Sequence, residues 1–160
     1  MQYKREQYDP LLHDKFLALT VKQPFAAKLI SGEKKIEVRS RKCKYRGDIL
    51  ICSSKNPIIE GYDSGCSIGL VELYDIKSID QFTEEDWEAT CIPKETIERI
   101  KEHGNGYGWM MRNPRKVIEF PTLGQLGIYN LIYTKNTIVE YPKSIIFEKD
   151  DYDFVTKQKQ

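Results

Sequence analysis

Residues 32 to 39 read Gly-Glu-Lys-Lys-Ile-Glu-Val-Arg and bring Lys34, Glu37 and Arg39 within six positions of one another. Both signs of charge so close together can bind an anionic or hydrogen-bonding ligand, or move a proton. A lysine beside a carboxylate becomes a proton carrier when loss of water lowers its pKa. An arginine suits bidentate contact with phosphate. The same three groups can equally form internal ion pairs that only hold a turn together.

More polar residues stand near this cluster in sequence. Lys22 and Gln23 precede Pro24 at an expected helix start, where free N–H groups favour an anion. A basic loop follows the cluster, with Arg41, Lys42, Lys44 and Arg46 around Tyr45. Cations interleaved with an aromatic ring suit single-stranded nucleic acid. Ser53 and Ser54 end the next apolar run and can line the same cleft. Tyr107 and Trp109 share one face of a later strand, where they either stack on a base or enter the core. Arg115, after Asn113-Pro114, is a further candidate for phosphate.

The elements that must position these groups follow from periodicity. Phe16 to Val21 reads as a buried strand, and Pro24 opens a helix carrying Phe25, Leu29 and Ile30 and ending at Gly32. In Ile36-Glu37-Val38-Arg39 the two-residue period turns Ile36 and Val38 to a core and Glu37 and Arg39 to the other face. Strands are expected at Ile49–Cys52 and Ser67–Ile76, with a loop over residues 55 to 66. Helices are expected after Thr83, which can cap one, and after Pro93, ending at Gly104 and Gly106. The last strands are Tyr107–Met111, broken by Asn113-Pro114, then Lys116–Phe120 and Gly127–Tyr133. Beyond these lie a short apolar piece, Ser144-Ile145-Ile146-Phe147, and a charged tail expected to fray. Several short strands with two or three helices make an α+β chain, a small barrel or a curled sheet.

Composition narrows the function classes. A chain of 160 residues suits one domain, and a net charge of +1 excludes a uniformly basic nucleic-acid binder, leaving only local patches. No apolar run approaches the roughly 20 residues of a membrane span. Residues 1 to 14 lack a signal-peptide core, so a cytoplasmic location is expected. Cys43, Cys52, Cys66 and Cys91 are separated by 9, 14 and 25 positions, and the two histidines, His13 and His103, are far off. That spacing argues against zinc and for free thiols. No metal and no cofactor is expected.

Three blocks resemble the ASCH domains of the PUA-like superfamily. They are Leu19-Thr20-Val21-Lys22-Gln23-Pro24-Phe25-Ala26, then Gly32-x-Lys34-x-x-Glu37-x-Arg39, then Tyr107-Gly108-Trp109 with Asn113-Pro114-Arg115, Gly124 and Gly127. The resemblance implies a PUA-like small β-barrel of five to seven strands with two or three flanking helices. It spans residues 16 to 133, between an N-terminal extension (1–15) and a partly ordered C-terminal one (134–160). It implies a cleft beside the signature strand, and as partners RNA, single-stranded nucleic acid, or a nucleoside or nucleotide. Some ASCH proteins are amidohydrolases acting on N(4)-acetylcytidine and others are ribonucleases. Lys34 matches a lysine that is catalytic in the deacetylating relatives, which carry a threonine where this chain has Glu37. Three functions therefore stand side by side: a base-binding module, a small hydrolase using Lys34 and Glu37, and an adaptor in which the cluster is only a staple.

Overall fold

The computed structural model describes residues 2–142. The expected apolar piece Ser144–Phe147 and the charged tail lie outside them. Seven strands form one mixed sheet: β1 (Gln2–Tyr3), β2 (His13–Val21), β3 (Ile36–Arg39), β4 (Gly47–Ser53), β5 (Cys66–Ser78), β6 (Tyr107–Pro121) and β7 (Ile128–Thr134). Three α-helices accompany it among the described residues: α1 (Phe25–Ser31), α2 (Glu84–Ala89) and α3 (Lys94–His103). The sheet order is β1-β7-β2-β4-β5-β6-β3, antiparallel throughout except between β2 and β4.

Strand alternation divides the apolar residues between two cores. Leu19, Ile49, Ile51, Val71 and Met111 lie in one, with Ala26, Ala27, Leu29 and Ile30 of α1. Ala18, Leu50, Cys52, Leu70, Val117 and Leu131 lie in the other. Helix α1 packs tightly because position 69 is glycine: a Cβ there would stand 2.5 Å from Ile30 Cδ1 and 2.7 Å from the Arg115 carbonyl. Gly32, at φ 84°, ends the helix in the left-handed conformation that glycine adopts without strain. Thr83 caps α2 reciprocally with Asp86, and Gly104 ends α3.

Two expectations are corrected. Asn113-Pro114 does not break the late strand, because β6 runs from Tyr107 to Pro121. Asn113, at φ 53°, and Pro114 fall where the β5–β6 register shifts between Leu70–Arg115 and Glu72–Arg112, so they form a bulge. Among the described residues the sheet also does not close into a barrel: β1 and β3 are its two edges. It curls far enough for Arg39 on edge strand β3 to donate to the Thr20 carbonyl of β2 at 3.0 Å, four strands away in the order. A side chain thus spans the gap that ladder hydrogen bonds would fill in a closed barrel. Further along β6, residues after β7 return to pair Val117 with Glu140. At the other end, Gln2 and Tyr3 pair with Tyr133 and Ile132. Among the described residues no helix is long and apolar enough to cross a membrane.

Candidate functional site

The open edge is where the charged strand lies. Two-residue alternation places Glu37 and Arg39 on one face, and Arg39 Nε and Nη2 meet Glu37 Oε2 at 2.9 and 2.7 Å. Lys34 precedes the strand, with Nζ 3.5 Å from Glu37 Oε1. The same ammonium donates to the Thr90 carbonyl at 2.5 Å and lies 5.2 Å from the centroid of the Phe25 ring. One carboxylate therefore sits between two cations, and the ensemble favours an anionic or acceptor-bearing guest.

Exposure separates the three groups. Their side chains are 1% (Lys34), 11% (Glu37) and 28% (Arg39) exposed. Burial pulls the Lys34 ammonium below its ordinary 10.5, and the charge of Glu37 opposes that shift. Lys34 is thus enclosed behind Glu37, while Arg39 reaches the surface and its Nη1 has no partner among the described residues. In front of Glu37 and Arg39 lies a cavity of about 420 Å³, walled by Val38 and Phe25 and bordered by Lys22, Gln125 and Leu126. That volume falls within the range of small-molecule sites, about 300–1,000 Å³.

The other expected residues divide. Lys22 is exposed, borders the cavity and has no side-chain partner among the described residues. Gln23 is only 3% exposed and occupied: its amide accepts from Ala27 N–H and donates to the Asp63 carbonyl, each at 3.0 Å. Ala26 N–H is taken by the Lys22 carbonyl, so the start of the seven-residue α1 is capped by the protein and is not an open anion site. Ser53, 2% exposed, is tied to the Cys66 backbone at 3.3 Å and borders a second cavity beside the first.

Trp109 belongs to the core, 4% exposed, and its indole N–H donates to the Arg41 carbonyl at 2.9 Å. Its position anchors the basic loop and presents no face for stacking. Tyr107 pairs with Arg39 in the β3–β6 ladder but does not line the cavity, and Lys42 Nζ stands 5.9 Å from its ring centroid. In the loop, Arg41, Lys42 and Lys44 are exposed. Arg46 folds back onto the carbonyls of Cys43 and Tyr45, and Tyr45 donates to the Asp48 carbonyl at 2.7 Å. Burial, then Asp48, raises the Tyr45 pKa above its usual 10. Arg115 is held by Asp48 at 2.5 Å and Glu140 at 3.2 Å, which leaves it ill placed for phosphate.

Sequence reasoning missed several cavity residues. Phe25 reads as a core residue of α1, and Thr20 as an interior strand position, yet both line the cavity. Gln125 and Leu126 lie between Gly124 and Gly127, the only local hint that the chain turns there. A second polar cluster also escaped. The donor atoms of Asp63, Cys66 and Glu119 lie within 4.8 Å of one another. They are the described group that could hold a metal, and the Lys116 ammonium, 3.8 Å from Glu119, already supplies a cation there.

An ASCH protein from Zymomonas mobilis superposes with a TM-score of 0.56 at 13% identity, covering 87% of this chain and 93% of that one. Two single-residue variants of the Zymomonas mobilis protein superpose with TM-scores of 0.55 and 0.54, each at 15% identity, over 68% and 66% of this chain and 76% and 72% of theirs. At such identity these likenesses establish the fold. No curated protein matches the chain significantly. Residues 19–122 match the ASCH domain profile, and on that span the chain belongs to the ASCH domain family.

Proposed function

We propose that this chain is a nucleic-acid-binding domain that holds a single base, ordinary or modified, in the cavity beside Glu37 and Arg39. The PUA-like fold of its family is one suggested to bind RNA. The observation that carries the reading is the pairing, on the wall of a 420 Å³ cavity, of an acceptor with an uncommitted donor. Glu37 can accept from a base amino or imino group while Arg39 Nη1 donates to a neighbouring carbonyl. Such an edge occurs on unpaired bases, which RNA exposes in loops and single strands. Phe25 offers apolar contact to a face of the base. Lys22, Arg41, Lys42 and Lys44 supply the positive field for the backbone.

Fluorescence anisotropy with short labelled RNA and DNA strands tests this reading. Binding is expected at low salt and should weaken linearly in log K against log salt. Lys22→Ala and Arg39→Gln should each weaken it, Arg39→Gln by about tenfold, equivalent to ~1.4 kcal/mol. Thermal melting checks that both variants fold. No binding of any strand at low salt, or binding that ignores both substitutions, overturns the reading.

A hydrolase acting on N(4)-acetylcytidine or on RNA is favoured by one observation, the desolvated Lys34 with its lowered pKa. Against it stands the enclosure of that ammonium behind Glu37, out of contact with the cavity. Product release that vanishes in a folded Lys34→Ala variant would establish the hydrolase.

A further inference from the structure

Beside the base cavity lies a second one, of about 280 Å³. The two are continuous, because Thr20, Ser54, Gln125 and Leu126 line both. Their chemistry differs. The first is built around a carboxylate with two cationic partners. The second has no acidic residue among the described residues of its lining and carries Lys55, whose ammonium has no partner among the described residues. The segment Gly124–Leu126 lines the same cavity, and its backbone N–H groups have no acceptor among the described residues. Uncommitted backbone N–H groups beside a lysine are what an oxyanion requires.

Two glycines shape this space. At Gly124 a Cβ would stand 3.1 Å from Thr20 Oγ1, so glycine lets the backbone rest against β2 with its amides near the cavity. At Gly65, with φ at 69°, a Cβ would meet Lys55 Cγ at 2.9 Å, so the lysine stem lies across bare backbone. That placement keeps the aliphatic stem covered and lets the head group stay wet.

We infer that this second cavity is a phosphate subsite of the same cleft, so that the ligand is a nucleoside carrying a phosphoester and not a free base or nucleoside. The inference rests on the base-binding reading of the first cavity and adds the substrate class. With the base edge at Glu37 and Arg39, the sugar passes Thr20 and Ser54. Its phosphate then lies among Lys55 and the Gly124–Leu126 amides. The phosphate belongs either to a mononucleotide or to the backbone of a strand.

Calorimetric titration of the full chain tests this with three probes: the common ribonucleosides, their 5′- and 3′-monophosphates, and a single-stranded RNA pentamer. The wild type should bind the best monophosphate at least about tenfold more tightly than its nucleoside. Lys55→Ala, an exposed position, should erase that difference and leave nucleoside affinity unchanged. If the Lys55 effect appears with the monophosphate, a mononucleotide suffices. If it appears only with the pentamer, the phosphate is an internucleotide one. Either result upholds the subsite. Equal wild-type affinity for nucleosides, monophosphates and pentamer overturns it while leaving the base cavity standing. So does a Lys55→Ala variant that weakens nucleoside and phosphorylated ligands alike. Absence of binding by every probe removes the base cavity and the subsite together.

Discussion

Two lysines in this chain are buried beside a glutamate three residues on, and each lies near an aromatic ring. Lys34 is 3.5 Å from Glu37 and 5.2 Å from the Phe25 centroid. Lys116 is 3.8 Å from Glu119 and 5.6 Å from the Tyr141 centroid. The glutamate side chains are equally covered, 11% exposed in both pairs. What differs is the third group. Arg39 joins the first pair, so two cations share one carboxylate. The Asp63 carboxylate and the Cys66 thiol lie within 4.8 Å of the Glu119 carboxylate, so the second pair gains a further acid where the first gains a cation. One motif thus gives a hollow with an excess of positive charge and another with an excess of negative charge. The spacing makes the ion pair, and its neighbours from distant strands decide what it can attract.

The sharpest way to break this comparison is to remove each glutamate. Glu37→Ala leaves an enclosed ammonium and a guanidinium facing each other, and the loss of one partner of a buried pair costs about 3–5 kcal/mol. We expect a loss near the lower end, about 3 kcal/mol, because Arg39 can turn to water. Glu119→Ala leaves the Asp63 carboxylate in its cluster and should cost less, about 1–2 kcal/mol. Urea denaturation of the two variants measures both. Equal losses, or a larger one for Glu119→Ala, would mean that the third group does not set the energetics.

Lys34 sharpens the comparison through pH. Its folded-state pKa is lowered from 10.5, chiefly by burial. Between that lowered value and 10.5 the unfolded chain binds more protons than the folded one, so stability rises with pH across the window. Below it, the cost of burying the charge is present in full. Lys34→Met abolishes this slope, so the stability advantage of the wild type over the variant should widen as pH climbs toward 10.5. Urea midpoints at several pH values above neutral read it directly. A constant difference would show that the ammonium stays charged throughout, with Glu37 outweighing burial.

The first cluster was legible in the sequence because its key relation is local. Strand alternation alone puts Glu37 and Arg39 on one face, whatever the tertiary fold. Helix punctuation was equally local, as at Thr83 with Asp86, Gly32 and Gly104. What could not be read came from pairing at long range. The acceptor that holds Lys34 is the carbonyl of Thr90, 56 residues away. The period-two pattern sets Tyr107 and Trp109 on one face without saying that Trp109 is covered by the core. Asn113-Pro114 looks like a strand break because a bulge and a break share the same residue types. The cysteine spacing weighed only cysteines and histidines as partners, whereas carboxylates 3 and 53 positions from Cys66 complete a cluster that spacing between thiols does not reveal.

Cys66 offers the gentlest probe of the second cluster. Burial chiefly, and then the charges of Glu119 and Asp63, push its thiol up to about 11, against a hydrogen bond from Ser53 that lowers it. Cys52, fully buried, is likewise raised to about 11. At pH 8 a thiol with such a pKa is about one part in a thousand thiolate, and the thiolate is the nucleophile. In the native protein Ellman's reagent should therefore modify the half-buried Cys43 and Cys91 well before Cys52 and Cys66. Peptide mapping by mass spectrometry separates the four sites. Glu119→Gln removes one of the charges that raise Cys66, so that thiol should react modestly faster in the variant while Cys52 stays as it was. Native Cys66 reacting as fast as Cys43 would mean that the cluster is open and its thiol already ionised, and the contrast with the lysine-rich hollow would then rest on solvent and not on neighbouring charge.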